Sequence, residues 1–495
     1  MLTKEEIKMS YGLDTQDRDI QIGNKHFKQS EIGFAIETWR NNPKWLKSLG
    51  RYYEKLYRGV GHWMELIGLQ SISGSLPFIP YGNELIRSCI NLFCKGGWGF
   101  GKGLLITLAQ DLMPRVQRLN SMTSAALLGA INKKGEWVPG EAYWARYGIL
   151  AIPELFQTIR RGEHFEGICE HLCEILEYPH HIRSSRVTFS ISDIASTMQY
   201  YEGVSFPQPN IFEYDTPECG LIATAEFSLP VLLQKLSSGF LSRFVDIPIA
   251  YSTSEADEAV RNYWNTVLIP TTENDTFDKD TFRRLFYIVW WFNMGWGKDM
   301  FGIPPITSYS LPVEHRNTLE KESLEVMKEA WKKLDKKPEE EKELSSIPVF
   351  IRESQDLLRI VCADAASRRF ETDEHLTGVI EIDEEAVKTG LEYFYTIAIS
   401  RVNMAIEYGK IIRQSSLGES YINDPCYQII KESGKQGIFQ VEVVEAMKRS
   451  PFNWNDRRTY RRIEKLRDVD KVITSDGRRL WARVALIKER GGLFI

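Results

Sequence analysis

Residues 96–105 read GGWGFGKGLL, with five glycines inside eight positions. So many glycines cannot continue a helix or a strand, because each adds backbone freedom that folding must remove. The stretch is therefore a turn, and the segment after it, GLLITLAQDLM, has the apolar spacing of a helix. Gly96, Gly99, Gly101 and Lys102 match the spacing G-x-x-x-x-G-K of a phosphate-binding loop. In such a loop the glycines let backbone N–H groups approach phosphate oxygens, the lysine neutralises them, and a following Ser or Thr ligates magnesium. Here Gly103 stands at that last position. A glycine-rich turn before a helix also needs no nucleotide to explain it, so the loop alone leaves both readings open.

The rest of the chain narrows the fold. Between residues 76 and 250 the apolar runs GILAIPEL, RVTFSI, CGLIATAEF and RFVDIPIAY alternate with helical segments, the pattern of an α/β domain. The chain has 495 residues, 43% of them hydrophobic and 26% charged, which supports a sizeable core in several domains. A net charge of −5 rules out polyanion binding by the whole surface, so any such partner must meet a local basic patch. Seven scattered cysteines form no disulfide framework. The polar start MLTKEEIKMSYGLDTQDRD has no signal-peptide core, and no apolar run approaches the roughly 20 residues of a membrane span. The expectation is a cytoplasmic protein without membrane contact.

Five regions follow from composition. Residues 1–72 read as a helical lead-in, including WRNNPKWLKSLGRYYEKLYRGVGHWM, whose aromatic residues at helical spacing read as core. Residues 73–333 form the α/β domain. The charged, proline-containing stretch 334–347 is a linker, 348–412 is strongly helical, and 424–490 has its own composition. In HFEGICEHLCEILEYPHH the spacing of Cys169 and Cys173 puts them on one helix face, but the pattern fits no zinc module. A structural helix is expected there, and no metal site.

The segments flanking the loop give a more specific signal. SGSLPFIPYGNELIRSCINLFCKGG precedes it, PRVQRLNSMTSAALLGAINKKGEWVPGEAYWARYGILAIPEL follows it, and LSSGFLSRFVDIPI and IRESQDLLRI come later. With the loop itself, these blocks resemble those of the minichromosome-maintenance (MCM) family of AAA+ replicative helicases, in the same order across residues 76 to about 370. The resemblance implies an AAA+ P-loop nucleotide-binding domain with an α-helical lid. It also implies ATP as cofactor, DNA as partner, and a homo-oligomeric, hexameric ring. By the same resemblance Lys102 holds the phosphates, Glu154 polarises the attacking water, Arg243 is the arginine finger for a neighbouring subunit, and Arg352 is the sensor arginine of the lid. The hairpin bearing Lys133 and Lys134 corresponds to the insert that moves against DNA.

Several positions depart from the family pattern. Gly103 replaces the magnesium-binding hydroxyl, and Pro153 stands where the Walker B aspartate would be. Both protein groups that usually hold magnesium are thus missing. Glu226 falls at the sensor asparagine, where a carboxylate would repel phosphate. The short link between LFCKGG and the loop leaves little room for the usual strand before it. The large N-terminal tier of the family, with its oligonucleotide-binding barrel and zinc module, has no counterpart, because only about 75 residues precede the ATPase-like region.

The segment 424–490 reads as a winged helix: three helical stretches, then a hairpin with the turn Ser475-Asp476-Gly477-Arg478. Its third helix would start near Asn455 and carries Arg457, Arg458, Arg461, Arg462 and Lys465. Spacings of three and four put Arg458, Arg461, Arg462 and Lys465 on one broad face, beside Arg478 and Arg479 of the wing. That local basicity in an acidic chain suits contact with DNA phosphates. A protein-binding winged helix with a solvated basic face is the other reading.

Taken together, the expected fold is α/β: an AAA+ domain, a helical lid and a C-terminal winged helix. The expected function is an MCM-like, ATP-dependent DNA helicase or translocase of DNA replication, associated with the nucleoid and with other replication proteins. Retention of Lys102, Glu154, Arg243 and Arg352 favours an ATP hydrolase. The loss of both magnesium ligands favours the alternative, an inactive DNA-binding scaffold derived from one.

Overall fold

The apolar runs build a parallel sheet. The computed structural model describes residues 17–57, 59–95, 102–119, 123–131, 137–155, 171–173, 175–176, 181–185, 204–208, 211–215, 219–225, 240, 243–248, 277–335, 350–417, 424–433, 436–449, 454–469, 473–475 and 479–482. Five strands lie side by side: β1 (Leu92–Lys95), β2 (Val116–Arg118), β3 (Ile149–Ile152), β4 (Gly220–Ala225) and β5 (Val245–Pro248). Their spatial order is β5-β1-β4-β3-β2, and every neighbouring pair is parallel. Val245 and Ile222 both stand opposite Leu92, while Gly220 and Val116 both stand opposite Ile149. β3 and β4 are buried along their whole length, as strands covered on both faces must be. Helices Gly61–Ser73 and Lys102–Leu112 pack against β4, and Lys279–Asn293 packs against both helices.

This sheet corrects one expectation. Room for a strand before the glycine loop exists, because LFCK is itself that strand, with Leu92, Phe93 and Cys94 buried. A second correction lies near the start of the chain. Residues expected to be helical form an antiparallel ribbon, Asp19–Ile22 with Lys25–Lys28, around a Gly23-Asn24 turn in which Gly23 has φ +58°. That left-handed conformation costs glycine nothing, and it closes a two-residue hairpin.

Three helices follow, Gln29–Asn41, Trp45–Leu56 and Gly61–Ser73. Trp39 and Trp45 are fully buried, and both Nε1 groups donate to the Ser367 carbonyl, at 2.7 and 3.1 Å. Ser367 ends the long helix Phe350–Ser367. The aromatic lead-in is thus core of the same body as the sheet and the first helix after the linker. Residues 1–333 and 348–403 make up that body.

Residues 334–347 and 404–495 make up a second unit. Its described elements run helix Pro425–Glu432, strand β6 (Ile438–Phe439), helix Gln440–Lys448, helix Asp456–Glu464, strand β7 (Ile473–Ser475) and strand β8 (Arg479–Ala482). The three strands are antiparallel in the order β6-β8-β7. Cys426, Tyr427, Ile430, Val443, Met447, Ile463, Leu466, Ile473 and Leu480 close around one small core. Among the described residues no helix is long and apolar enough to cross a membrane.

Candidate functional site

In an open parallel sheet, ligands sit beyond the carboxyl ends of the strands, where the strand order reverses. Here the chain leaves β1 at Lys95 and resumes at Lys102, the first residue of helix Lys102–Leu112. Gly96, Gly99 and Gly101 fall between these points, outside the described residues. The arrangement is strand, glycine segment, helix, with the positive end of the helix dipole facing the gap. Lys102 is buried, with 5% of its surface exposed. Gly103, beside it, is exposed, and a Cβ added there would meet nothing within 4 Å.

Glu154 lies at the same edge. β3 ends at Ile152; Pro153 and Glu154 follow, and the Glu154 backbone has φ +50°. A left-handed glutamate costs of order 1 kcal/mol or more unless neighbours hold it. The hold comes from β4, where the buried Thr224 Oγ1 accepts the Glu154 N–H at 2.9 Å. Thr224 stands opposite Cys94 of β1, so Glu154 is level with the end of β1. β1 and β3 flank β4, which separates them by two strand spacings, about 10 Å. Thr224 escaped the sequence reading, although it is the one polar residue in GLIATA. Glu226, the expected sensor position, lies outside the described residues.

Arg243 is at the other edge of the sheet. Asn91, just before β1, donates from Nδ2 to the Arg243 carbonyl at 3.4 Å, and its own carbonyl accepts the Val245 N–H at 2.7 Å. Four residues of strand, about 13 Å, separate that level from the carboxyl edge. Arg352 joins Arg243 there. The Arg243 guanidinium is pushed below its usual pKa by burial, and the Arg352 charge adds to the effect while Cys173 opposes it.

One buried side chain braces this pair. Arg401 donates to the carbonyl of Phe244, the residue after Arg243. Its Nε also lies 3.1 Å from Glu353, the residue after Arg352, and its Nη2 lies 3.6 Å from Asp356. Burial raises the Glu353 carboxyl to about 7 against the pull of Arg401. Arg359, also on this helix, is committed to Asp356 at 2.6 Å and to the Arg87 carbonyl at 2.9 Å. Local spacing in the sequence cannot reveal this brace, because Arg401 and Glu353 pair across 48 positions.

The expected DNA-facing groups divide differently. Gly129–Ile131 and Trp137–Pro139 pair as an antiparallel hairpin, Ile131 opposite Trp137. Its tip, with Lys133 and Lys134, lies outside the described residues, as does Arg478. In the second unit Asn455 caps helix Asp456–Glu464 by accepting the Arg458 N–H at 2.8 Å. Arg457, Arg458, Arg461 and Lys465 are exposed, while Thr459, Ile463 and Leu466 face the core. The broad face expected from spacing is corrected at Arg462. Its Nε donates to Asp424 at 2.6 Å, and Asp424 in turn caps helix Pro425–Glu432. Arg458 lies over the Trp454 ring at 4.1 Å, and Arg479 lies over Phe439 at 4.6 Å while donating to the Gln436 carbonyl.

Neither Gly103 nor Pro153 offers a side-chain oxygen, so the residues beside Lys102 and Glu154 do not fit a magnesium ion held by side chains. Among the described residues no group of three or more His, Cys, Asp or Glu side chains is placed to hold a metal. Of the histidine and cysteine cluster, His171, Cys173 and His181 are described, whereas His164, Cys169 and His180 lie outside. The chain matches no protein-family model, and no curated protein matches it.

Proposed function

We propose that the chain is an AAA+-type ATPase resembling the MCM helicases, acting on DNA in an oligomeric ring as an ATP-dependent helicase or translocase. The observation that carries this reading is the division of the expected catalytic groups between the two edges of one sheet. Lys102 and Glu154 share the carboxyl edge, and Arg243 and Arg352 share the other. One copy cannot bring its own Arg243 to a phosphate at its own Lys102. A neighbouring copy can, so the division is useful only in an assembly.

Lys102 and the helix N-terminus would hold the phosphates of ATP. Glu154, fixed by Thr224, would take the proton of the attacking water. Arg243 from the neighbouring copy would offset the charge that develops on the transferred phosphoryl group. Arg401 would keep Arg243 and Arg352 moving as one piece. In the second unit the order helix, strand, helix, helix, strand, strand is compatible with a winged helix, and the exposed Arg457, Arg461 and Lys465 suit DNA phosphates.

A second reading has its own observation. With Gly103 and Pro153 in place of two oxygen ligands, a scaffold that binds DNA and nucleotide without turnover accounts for the same architecture. ATP hydrolysis by the purified full chain, with and without single-stranded and duplex DNA, separates the two readings. Turnover that rises with DNA and disappears in Lys102→Ala supports the motor. No turnover above that variant, with DNA binding intact, leaves the scaffold.

A further inference from the structure

At the edge of the sheet away from Lys102, a group of aromatic and basic side chains has no part in the reading above. Arg115 precedes β2, and Tyr147 and Gly148 precede β3. The two segments are locked together: the Ile149 N–H donates to the Arg115 carbonyl at 3.0 Å. A Cβ on Gly148 would lie 2.3 Å from that carbonyl, so only glycine fits. Among the described non-glycine residues Arg115, Tyr147, Glu154 and Leu376 take left-handed backbone conformations, and two of the four belong to this corner.

The side chains above this corner are continuous. The Arg146 guanidinium lies over Tyr143 at 5.4 Å and over Tyr147 at 5.5 Å. Tyr143 meets Trp144 edge to face at 5.5 Å. The Tyr147 carbonyl accepts Trp290 Nε1 at 2.7 Å, Arg115 lies over the Trp290 ring at 5.5 Å, and Trp290 meets Trp296 at 5.0 Å. The two outer tryptophans are open to solvent, Trp144 at 49% and Trp296 at 52%.

Among the described residues neither Arg115 nor Arg146 forms an ion pair with a carboxylate. Among the described residues, the ionisable groups that act on Arg115 are Arg146, Tyr143 and Tyr147, and none is a carboxylate. Arg146 Nε is buried without a hydrogen-bond partner. Partial desolvation lowers the Arg115 pKa, and the Arg146 charge lowers it further. Two neighbouring cations thus lie beside two exposed indole rings. They complement a chain that alternates anions with flat apolar rings.

We infer that Arg115, Arg146, Trp144 and Trp296 form a docking surface for single-stranded nucleic acid, with the arginines on phosphates and the tryptophans stacked on bases. A duplex hides its base faces, so the rings discriminate against it. A protein segment would also cover the rings, but the paired cations without a carboxylate favour a polyanion. The surface requires neither nucleotide nor turnover, and all of its residues belong to the first unit.

The test uses the full chain and a fluorescein-labelled dT15, with a 15-base-pair duplex beside it. Arg115→Gln/Arg146→Gln should weaken dT15 binding at least tenfold and reduce its log K against log salt slope by about 1.4. Trp144→Ala and Trp296→Ala, both at exposed positions, should each weaken dT15 about tenfold and leave the duplex unchanged. A second measurement needs no variant: 5-iodouracil-substituted dT15, irradiated on the native chain, should give adducts in the peptides that contain Trp144 or Trp296. Unchanged dT15 affinity in all variants overturns the inference. So do equal losses for duplex and single strand, adducts confined to other peptides, or a loss of self-association with dT15 binding intact.

Discussion

Restoring the hydroxyl at residue 103 tests the phosphate-loop geometry at one atom. Gly103 is the second residue of helix Lys102–Leu112, is exposed, and has open space where a Cβ would be. Gly103→Ser therefore meets no neighbour. It should stabilise the helix by about 0.5 kcal/mol from propensity alone, raising Tm by a degree or two. If the loop cradles phosphate, the new hydroxyl points at the magnesium of Mg-ATP. A hydrogen bond or ligand contact to a charged group contributes about 1.5–3 kcal/mol. Water would fill the same position in the native chain, so the gain should sit at the lower end, about tenfold tighter binding. The assay is titration of a fluorescent ATP analogue with and without magnesium, in the native chain, Gly103→Ser, Lys102→Ala and the double variant. The gain should appear only with magnesium and vanish in the double variant. Identical magnesium dependence in Gly103→Ser and the native chain, with Tm raised as expected, would refute the placement of phosphate at this helix.

Three other outcomes follow from the structure. Thr224→Val keeps the shape of β4 but leaves the Glu154 N–H unpaired, a cost of about 1–3 kcal/mol at that backbone. ATP turnover should fall 10- to 100-fold with nucleotide affinity unchanged, and Thr224→Ser should restore it. Burial, then the nearby Asp364 charge, raises the Glu65 carboxyl to about 7, from 4.5 in an unfolded chain. The folded state then binds the extra proton, so the contribution of Glu65 is fully present below about pH 4.5 and is lost as pH rises to about 7, by up to roughly 3 kcal/mol. Denaturant unfolding of Glu65→Gln at pH 5 and pH 8 should lack that part of the decline; an equal decline in both chains would assign it elsewhere. Replacing Arg457, Arg461 and Lys465 together by Ala should flatten the salt dependence of duplex binding by about 2.7 in log–log slope if each meets one phosphate. Arg462→Ala should instead lower the stability of the second unit, because it leaves Asp424 without its half-buried partner.

Much of the sheet was legible in the sequence. GILAIPEL, CGLIATAEF and RFVDIPIAY are continuous apolar runs of strand length, and β3, β4 and β5 lie inside them. β1 was hidden because LFCK is short and abuts the glycines, and β2 because VQR is a sheet-edge strand with no apolar signature. The ribbon at residues 19–28 was read as helix for want of weight on its Gly-Asn turn. Within the site, Glu154 came from the family resemblance, while Lys102 came from the spacing of the glycine segment. Spacing could not indicate Thr224 or Arg401, whose partners lie 70 and 48 positions away in the chain. Helical spacing also overcounted the basic face, because it shows which residues share a side of a helix and not which of them an acid such as Asp424 has already taken.

If Lys102 of one copy and Arg243 of its neighbour act on the same nucleotide, two variants that are inactive alone should restore turnover when mixed. Lys102→Ala and Arg243→Ala are each expected to lack ATP turnover and to retain DNA binding. Mixed in equal amounts, they can form interfaces that pair an intact Lys102 with an intact Arg243. Recovery of turnover to roughly a quarter of the native rate, statistically the share of such interfaces, is the predicted result. A mixture as inactive as its components, with mixed oligomers shown to form, would contradict a shared site.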